Sequence, residues 1–503
     1  MPDWLKDAVF YEIYPQSFCD TNGDGIGDLN GITEKLEYIA YLGCNALWLN
    51  PIFDSPFRDA GYDVRDYYQI AGRYGTDEDF DRLIETAHAR GIRVLLDLVP
   101  GHTSDEHAWF KASAEAEPNE YSGRYVWTSH AFEGIEGHPY ISGMSERAGA
   151  YMLNFFASQP ALNYGWGKRD RAWMSAPDSP EATATREDLK KVIRYWLDRG
   201  CDGFRVDMAD SLVKNDDENK SLTAAVWRDV RTMLDKEYPQ AALVSEWSNP
   251  YQAICLGGFH MDFYLDHHHN GYNTLLRDYE TEGGDHSFFK AGSGGKIRRF
   301  LADYLPKYKA TRQSGYISMF TCNHDTPRPA LTLSQREMML FAGFLMTMPG
   351  VPFVYYGDEI GMHYLDVPTK EGGYQRTGSR TPMQWEKGKV NMGFSTSDAP
   401  YLPCEPDGPS VDEQLGVKGS LLETMRELIA LRHEHEELQA DTYFDVLSEE
   451  PFVYRRGRFI IAVNPDPVSR KADIRAERIV YAIGDIKKDR GLVLGPQSFA
   501  VVE

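Results

Sequence analysis

The chain is 503 residues long, carries a formal net charge of -23 and is 13% aromatic. That length can bury a large core and suits one big domain with one or two smaller ones. The acidic balance argues against nucleic acid and anionic membranes as partners and leaves a neutral polar ligand such as a sugar unaffected.

The sequence begins with Asp3, Lys6 and Asp7 and passes straight into an apolar run. It shows none of the basic region, greasy stretch and small-residue cleavage site of a signal peptide, so a cytoplasmic protein is expected. Six cysteines, none in a C-x-x-C pair, read as reduced thiols. Residues 8–14 are the first of eight short apolar runs, followed by 46–49, 94–99, 204–207, 242–246, 263–265, 317–320 and 351–355. They alternate with helical patterns. Eight strand–helix units are what a (β/α)8 TIM barrel requires, and its active site lies at the C-terminal strand ends. Chemistry-bearing residues should therefore follow each run.

After the first run comes Asp20-Thr21-Asn22-Gly23-Asp24-Gly25-Ile26-Gly27-Asp28, with oxygen-bearing side chains at alternate positions. Such a loop can wrap a hard cation, and its opening matches an EF-hand, but the twelfth position is Gly31 where an EF-hand needs Glu. The expectation is a structural Ca2+ held by Asp20, Asn22, Asp24, the Ile26 carbonyl and Asp28. Asp59 and Tyr62 follow the second run, and Asp97 and His102 mark the end of the third. Residues 103–164 interrupt the alternation and are too long for a βα loop, so they are expected to form a small inserted domain. The barrel would then comprise 1–102 and 165–437.

In the fourth run Arg205 and Asp207 lie two apart and share a strand face. The guanidinium should hold Asp207 ionised, as a nucleophile requires. An isolated R-x-D is most often a structural ion pair. The neighbouring strand ends argue otherwise here. Glu246 closes the fifth run beside Trp247, where desolvation should raise its pKa toward that of a general acid. Asn323-His324-Asp325 closes the seventh. Two carboxyl groups of opposite character are what glycoside hydrolysis needs. His267 and His269 could share a face toward zinc, but no further ligand motif accompanies them. The apolar stretch 338–356 is broken by Pro349-Gly350 and reads as a buried helix and strand, with no membrane span. A helix is expected over 421–434, and short alternating strands from 438 to 503 read as a C-terminal antiparallel β-sandwich.

Taken together, the blocks 97–102, 203–207, Glu246 and 323–325 resemble the α-amylase family of glycoside hydrolases, most of all its α-glucosidase, oligo-1,6-glucosidase and trehalose synthase branch. The resemblance implies Asp207 as nucleophile, Glu246 as general acid/base and Asp325 as the carboxylate that grips the sugar hydroxyls. It implies that Arg205 orients Asp207, and that Tyr62, His102 and His324 line the subsite of the sugar being cleaved. Asp59 and Arg380 match the pair that closes this subsite around a terminal glucose in exo-acting relatives. The calcium loop also matches the branch. Three positions depart from it: Gly101 where relatives carry Asn, Ala161 in place of Asp, and Met208 after the nucleophile in place of Val, Thr or Ala.

The expected activity is a retaining α-glucosidase acting on short neutral α-gluco-oligosaccharides, as a monomer or homodimer. The alternatives are a transglucosylase or trehalose synthase-like isomerase, an endo-acting amylase or neopullulanase-like enzyme, and, remotely, a non-catalytic sugar-binding subunit.

Overall fold

A computed structural model describes all residues except 135, 280, 281, 373 and 374. The eight apolar runs become the strands β1 (Phe10–Ile13), β2 (Ala46–Leu49), β3 (Arg93–Leu98), β4 (Gly203–Val206), β5 (Ala242–Ser245), β6 (Met261–Phe263), β7 (Tyr316–Ser318) and β8 (Phe353–Tyr355). All pairings are parallel, in the order β7-β6-β5-β4-β3-β2-β1-β8. A parallel bridge between Phe320 and Phe353 joins the two ends and closes the barrel. Strands covered on both faces need apolar residues at successive positions, which is why Ala46-Leu47-Trp48-Leu49 shows no alternation.

The helices between strands include α1 (Leu29–Leu42), α2 (Asp77–Ala89), α3 (Pro180–Asp198), α4 (Ser221–Glu237), α5 (Ile297–Thr311), α6 (Gln335–Thr347) and α7 (Leu421–Glu434). Local chemistry sets several of their ends. Asp28 caps α1 by accepting from the Gly31 amide, and reciprocal capping boxes start α2 (Thr76, Asp79) and α6 (Ser334, Glu337). The helix expected over 421–434 is α7, and the stretch 338–356 is the end of α6 followed by β8. Among the described residues no helix is long and apolar enough to cross a membrane. All six cysteines are free.

Between β3 and α3 the chain forms a short helix (Ala108–Ser113) and a hairpin pairing Tyr140–Ser142 with Ala150–Met152. Single antiparallel bridges from Ala161 to His102 and from Leu162 to Tyr125 tie this segment back to the end of β3. Val126, Met152, Ala161, Trp166 and Met174 form a small apolar cluster of its own.

The C-terminal region holds a five-stranded and a three-stranded antiparallel sheet. The strand Ser498–Val502 shows how they pack. Phe499 and Val501 belong to the main core shared with the barrel, while Ala500 and Val502 belong to a second cluster with Leu492 and Leu494 of the smaller sheet. Its two faces thus bury against different partners. Two buried arginines converge on the end of α6: Arg432 of α7 donates to the carbonyls of Met346, Met348 and Gly350, and Arg456 of the C-terminal region to those of Thr347 and Gln439. They meet the otherwise unpaired carbonyls at a helix C-terminus.

Candidate active site

Arg205, 1% exposed, is the centre of the site. Its Nη1 lies 2.8 Å from Asp97 Oδ1 and 3.1 Å from Asp207 Oδ1, and its Nη2 lies 2.9 Å from Glu246 Oε2. Asp97 explains its place in an apolar strand by these bonds, and by accepting from Trp48 Nε1 at 3.1 Å and Tyr62 OH at 3.0 Å. Alternation along β4 carries Arg205 and Asp207 to the same side, as the spacing predicts. Met208 then takes φ 41°, a left-handed conformation uncommon for a non-glycine residue, and turns the chain sharply. The Met208 amide points back to donate to Glu246 Oε2 at 3.0 Å.

The electrostatics differ from the sequence expectation at Asp207. Burial lifts its carboxyl well above the usual range; Arg205 opposes the lift, while Glu246 and Asp97 add to it. The expectation that Arg205 would set Asp207 low fails because burial outweighs the guanidinium, which Asp207 also shares with Asp97 and Glu246. Glu246 directly follows the apolar strand β5 and lines the cavity with Trp247, as expected; its polar contacts are the Arg205 guanidinium and the Met208 amide, and its side chain is 18% exposed.

Tyr62 and His324 stack at 5.5 Å and 11°, with Tyr62 OH 2.8 Å from His324 Nε2. On the far side of the ring, His324 Nδ1 lies 2.9 Å from Glu12 Oε1. Burial raises Glu12 well above the usual carboxyl range and, acting oppositely on a base, drives His324 well below its usual value. His324 Nε2 also lies 3.3 Å from Asp325 Oδ2. Asn50 Nδ2 also approaches His324 Nδ1, at 3.1 Å; sequence reading overlooked both, because Glu12 lies inside β1 and Asn50 directly follows β2, with no motif around either.

Asp325 brings the largest correction. Arg376 Nη1 and Arg380 Nη2 each lie 2.8 Å from Asp325 Oδ1. Burial acts to raise Asp325, but His324, Arg376, Arg380 and Arg205 outweigh it and hold the carboxyl far below the usual range. The partner of Asp59 is Arg376, through its Nη2, and not Arg380 as expected. Arg380 is fully buried and extends from the His324 carbonyl to Glu371 Oε2 at 3.0 Å, which leaves its guanidinium beneath Asp325 and away from the rim. Asp59 is also gripped by Gln159 Nε2 of the inserted segment at 2.7 Å. The two arginines stand four residues apart in one loop, and sequence alone offered nothing to rank them.

These groups surround a cavity of about 330 Å3 at the C-terminal end of the barrel. Asp59, Asp207, Glu246, Asp325 and Arg376 line its polar side; Phe155, Met208 and Trp247 form an apolar side near His102. His267 lines the same cavity, whereas His269 Nδ1 faces Asp278 at 3.7 Å, so the two do not converge as zinc ligands. A larger cleft of about 930 Å3 borders the inserted segment, but Asp207, Glu246 and Asp325 are not in its lining.

The loop 20–28 is folded by its own amides. Asp20 accepts from the amides of Asn22, Gly23 and Gly25, Asn22 from that of Asp24, Asp24 from that of Ile26, and Asp28 from Thr21 and Gly31. Its carboxylate, amide and carbonyl oxygens are the donor type a hard cation takes. Among the described residues no group of three or more His, Cys, Asp or Glu side chains is already placed to hold a metal ion. A cation would have to draw the loop oxygens inward.

The model of the α-amylase catalytic domain matches residues 12–441. A trehalose synthase/amylase of Mycolicibacterium smegmatis is 33% identical, over 90% of this chain and 80% of its own. An oligo-1,6-glucosidase of Parageobacillus thermoglucosidasius is 30% identical, over 90% and 88%. Among solved structures, an isomaltulose synthase variant from Erwinia rhapontici NX5 in complex with D-glucose superposes with a TM-score of 0.82 at 26% identity, covering 100% of this chain and 99% of that one.

Proposed function

The chain belongs to the α-amylase family of glycoside hydrolases, and from that premise we propose that it is a retaining α-glucosidase releasing single glucose units from the non-reducing ends of short α-gluco-oligosaccharides. The observation that carries this reading is the ring of side chains beyond Asp325: Asp59 bonded to Arg376 and Gln159, and Arg376 bonded in turn to Asp325. Three separate loops meet there, and in this reading they form the wall that ends the subsite of the terminal glucose. The cavity volume lies at the small end of the range for ligand pockets, about 300–1,000 Å3, which suits a short oligosaccharide better than a polymer.

In the proposed reaction Asp207 attacks the anomeric carbon as the bond to the leaving oxygen breaks, and Glu246 transfers its proton to that oxygen. Glu246, now a carboxylate, takes a proton from water; the hydroxide attacks the same carbon, and the glucosyl–Asp207 ester breaks. Two inversions return the α configuration. The shared Arg205 supports a retaining pair, because both carboxyl groups lie on one guanidinium and retention needs them about 5 Å apart. Asp325 and His324 would bind ring hydroxyls more tightly as the ring flattens, which is where binding energy accelerates the step.

The test is a product time course on maltose, isomaltose, trehalose, sucrose and soluble starch, with Asp207→Asn as blank. Glucose from disaccharides with little from starch, first appearing by NMR as the α-anomer, is the expected result. A β-anomer, or maltose and longer products from starch with disaccharides untouched, would overturn it. A second reading, isomerisation by return of the sugar instead of water, is favoured by the apolar wall of Phe155, Met208 and Trp247, which could retain a leaving sugar. Conversion of sucrose or maltose into an isomer faster than free glucose appears would establish it. We propose calcium for the loop 20–28 as a structural ion only, held by Asp20, Asn22, Asp24, the Ile26 carbonyl and Asp28.

A further inference from the structure

Gly101 follows β3 and does not adopt a positive φ, so its backbone does not call for glycine. Space does: a Cβ placed there would stand 2.8 Å from Asn154 Nδ2. Asn154 reaches in from the inserted segment and fills that gap. Its Nδ2 lies 3.0 Å from His102 Nδ1, and its Oδ1 lies 2.9 Å from Lys214 Nζ. Lys214 is 6% exposed and also donates to the Ser211 carbonyl at 2.7 Å.

The chemistry of these three groups fixes their orientation. An ammonium only donates, so Asn154 must turn its oxygen to Lys214 and its NH2 to the imidazole. His102 Nδ1 must then accept. The ring proton resides on Nε2, which donates to the Tyr62 carbonyl at 3.0 Å. Burial, reinforced by the Lys214 charge, lowers His102 to about 4 and keeps the ring neutral.

We infer that Lys214 and Asn154 are positioning residues that hold His102 as a single Nε2–H tautomer in one ring orientation at the cavity wall, and that Gly101 is the vacancy that admits Asn154. The inference rests on the reading of His102 as part of the sugar pocket. Because the inserted segment supplies the middle member, this part of the site is assembled only when that segment is docked on the barrel.

The test compares Asn154→Ala, Lys214→Met, the double variant, Gly101→Asn, and Gly101→Asn combined with Asn154→Ala, using p-nitrophenyl α-glucoside and selectively 15N-histidine-labelled protein, with His102→Gln assigning the signal. Asn154→Ala and Lys214→Met should each lower kcat/KM about tenfold, and the double variant should fall no further, since both break one relay. Gly101→Asn alone should impair the enzyme, whereas adding it to Asn154→Ala should restore kcat/KM to within about threefold, because the new amide occupies the vacated space. A merely structural role would give no such rescue. The 15N spectrum should report the Nε2–H tautomer in the wild type and a mixture in Asn154→Ala. Losses that multiply, an Asn154→Ala variant within twofold of wild type, or a wild-type His102 protonated on Nδ1 would each overturn the relay. Failure of the wild type to cleave any α-glucoside would instead defeat the proposed function, while the nitrogen spectrum still decides the relay.

Discussion

At the scale of single residues, the decisive feature is one guanidinium shared among Asp97, Asp207 and Glu246. In the proposed reaction Asp207 must be ionised to attack, and burial places its ionisation above the usual carboxyl range. The acid limb of kcat/KM should therefore lie above about pH 4, the ordinary carboxylate pKa. Asp97→Asn removes a like charge and frees Arg205 to favour the Asp207 anion, so that limb should move to lower pH; a pH–rate profile shifted upward would contradict the assignment. Asp207→Asn should lose roughly 10^4-fold in kcat with its thermal transition unchanged. Glu246→Gln should lose about 10^2- to 10^4-fold on maltose. On an aryl glucoside whose leaving group needs no proton it should show a burst, followed by slow release of the glucosyl enzyme. Equal losses on both substrates would mean that Glu246 is not the acid.

At the scale of elements, the structure joins pieces that the chain separates widely. Arg432 of α7 donates to three carbonyls at the end of α6 and just beyond it. Burial depresses the guanidinium to about 9, so its charge persists at neutral pH. Arg432→Met would leave these carbonyls buried without donors and should cost about 3 kcal/mol or more, read by urea unfolding, with kcat/KM at 25 °C unaltered. A cost below about 1 kcal/mol would show that water replaces the side chain. The loops that meet at Asp59 make a sharper test. Asp59→Ala and Arg376→Ala should each lower kcat/KM on maltose roughly 10- to 100-fold, as expected for a lost charged hydrogen bond. Both should also raise the ratio of maltotetraose to maltose turnover. Arg380→Ala, whose guanidinium supports Asp325 from below, should reduce kcat on all substrates alike.

At the scale of the whole molecule, the calcium proposal has a direct measurement. Dialysis against EDTA should lower the thermal transition reversibly while leaving kcat/KM at 25 °C unchanged, since the loop precedes α1 and its proposed ligands are not among those lining the cavity. A transition indifferent to EDTA and to added Ca2+ would mean that the amides of Asn22 to Gly31 suffice to hold the loop. The barrel could be read from the sequence because strands buried on both faces must be apolar at successive positions. Eight such runs spaced by helical patterns leave few alternatives. The helix 421–434 was equally legible, as were the three carboxylates, since strand ends place them on one rim. Alternation along a strand is local, so the sequence by itself determined that Arg205 and Asp207 share a face. Only the tertiary structure decided how that guanidinium is divided among three carboxyls, that Arg376 and not Arg380 holds Asp59, and that Asn154 fills the space left at Gly101. Each of those outcomes depends on distances between loops far apart in the chain, and on burial that weighs charge against desolvation, quantities that no local spacing contains.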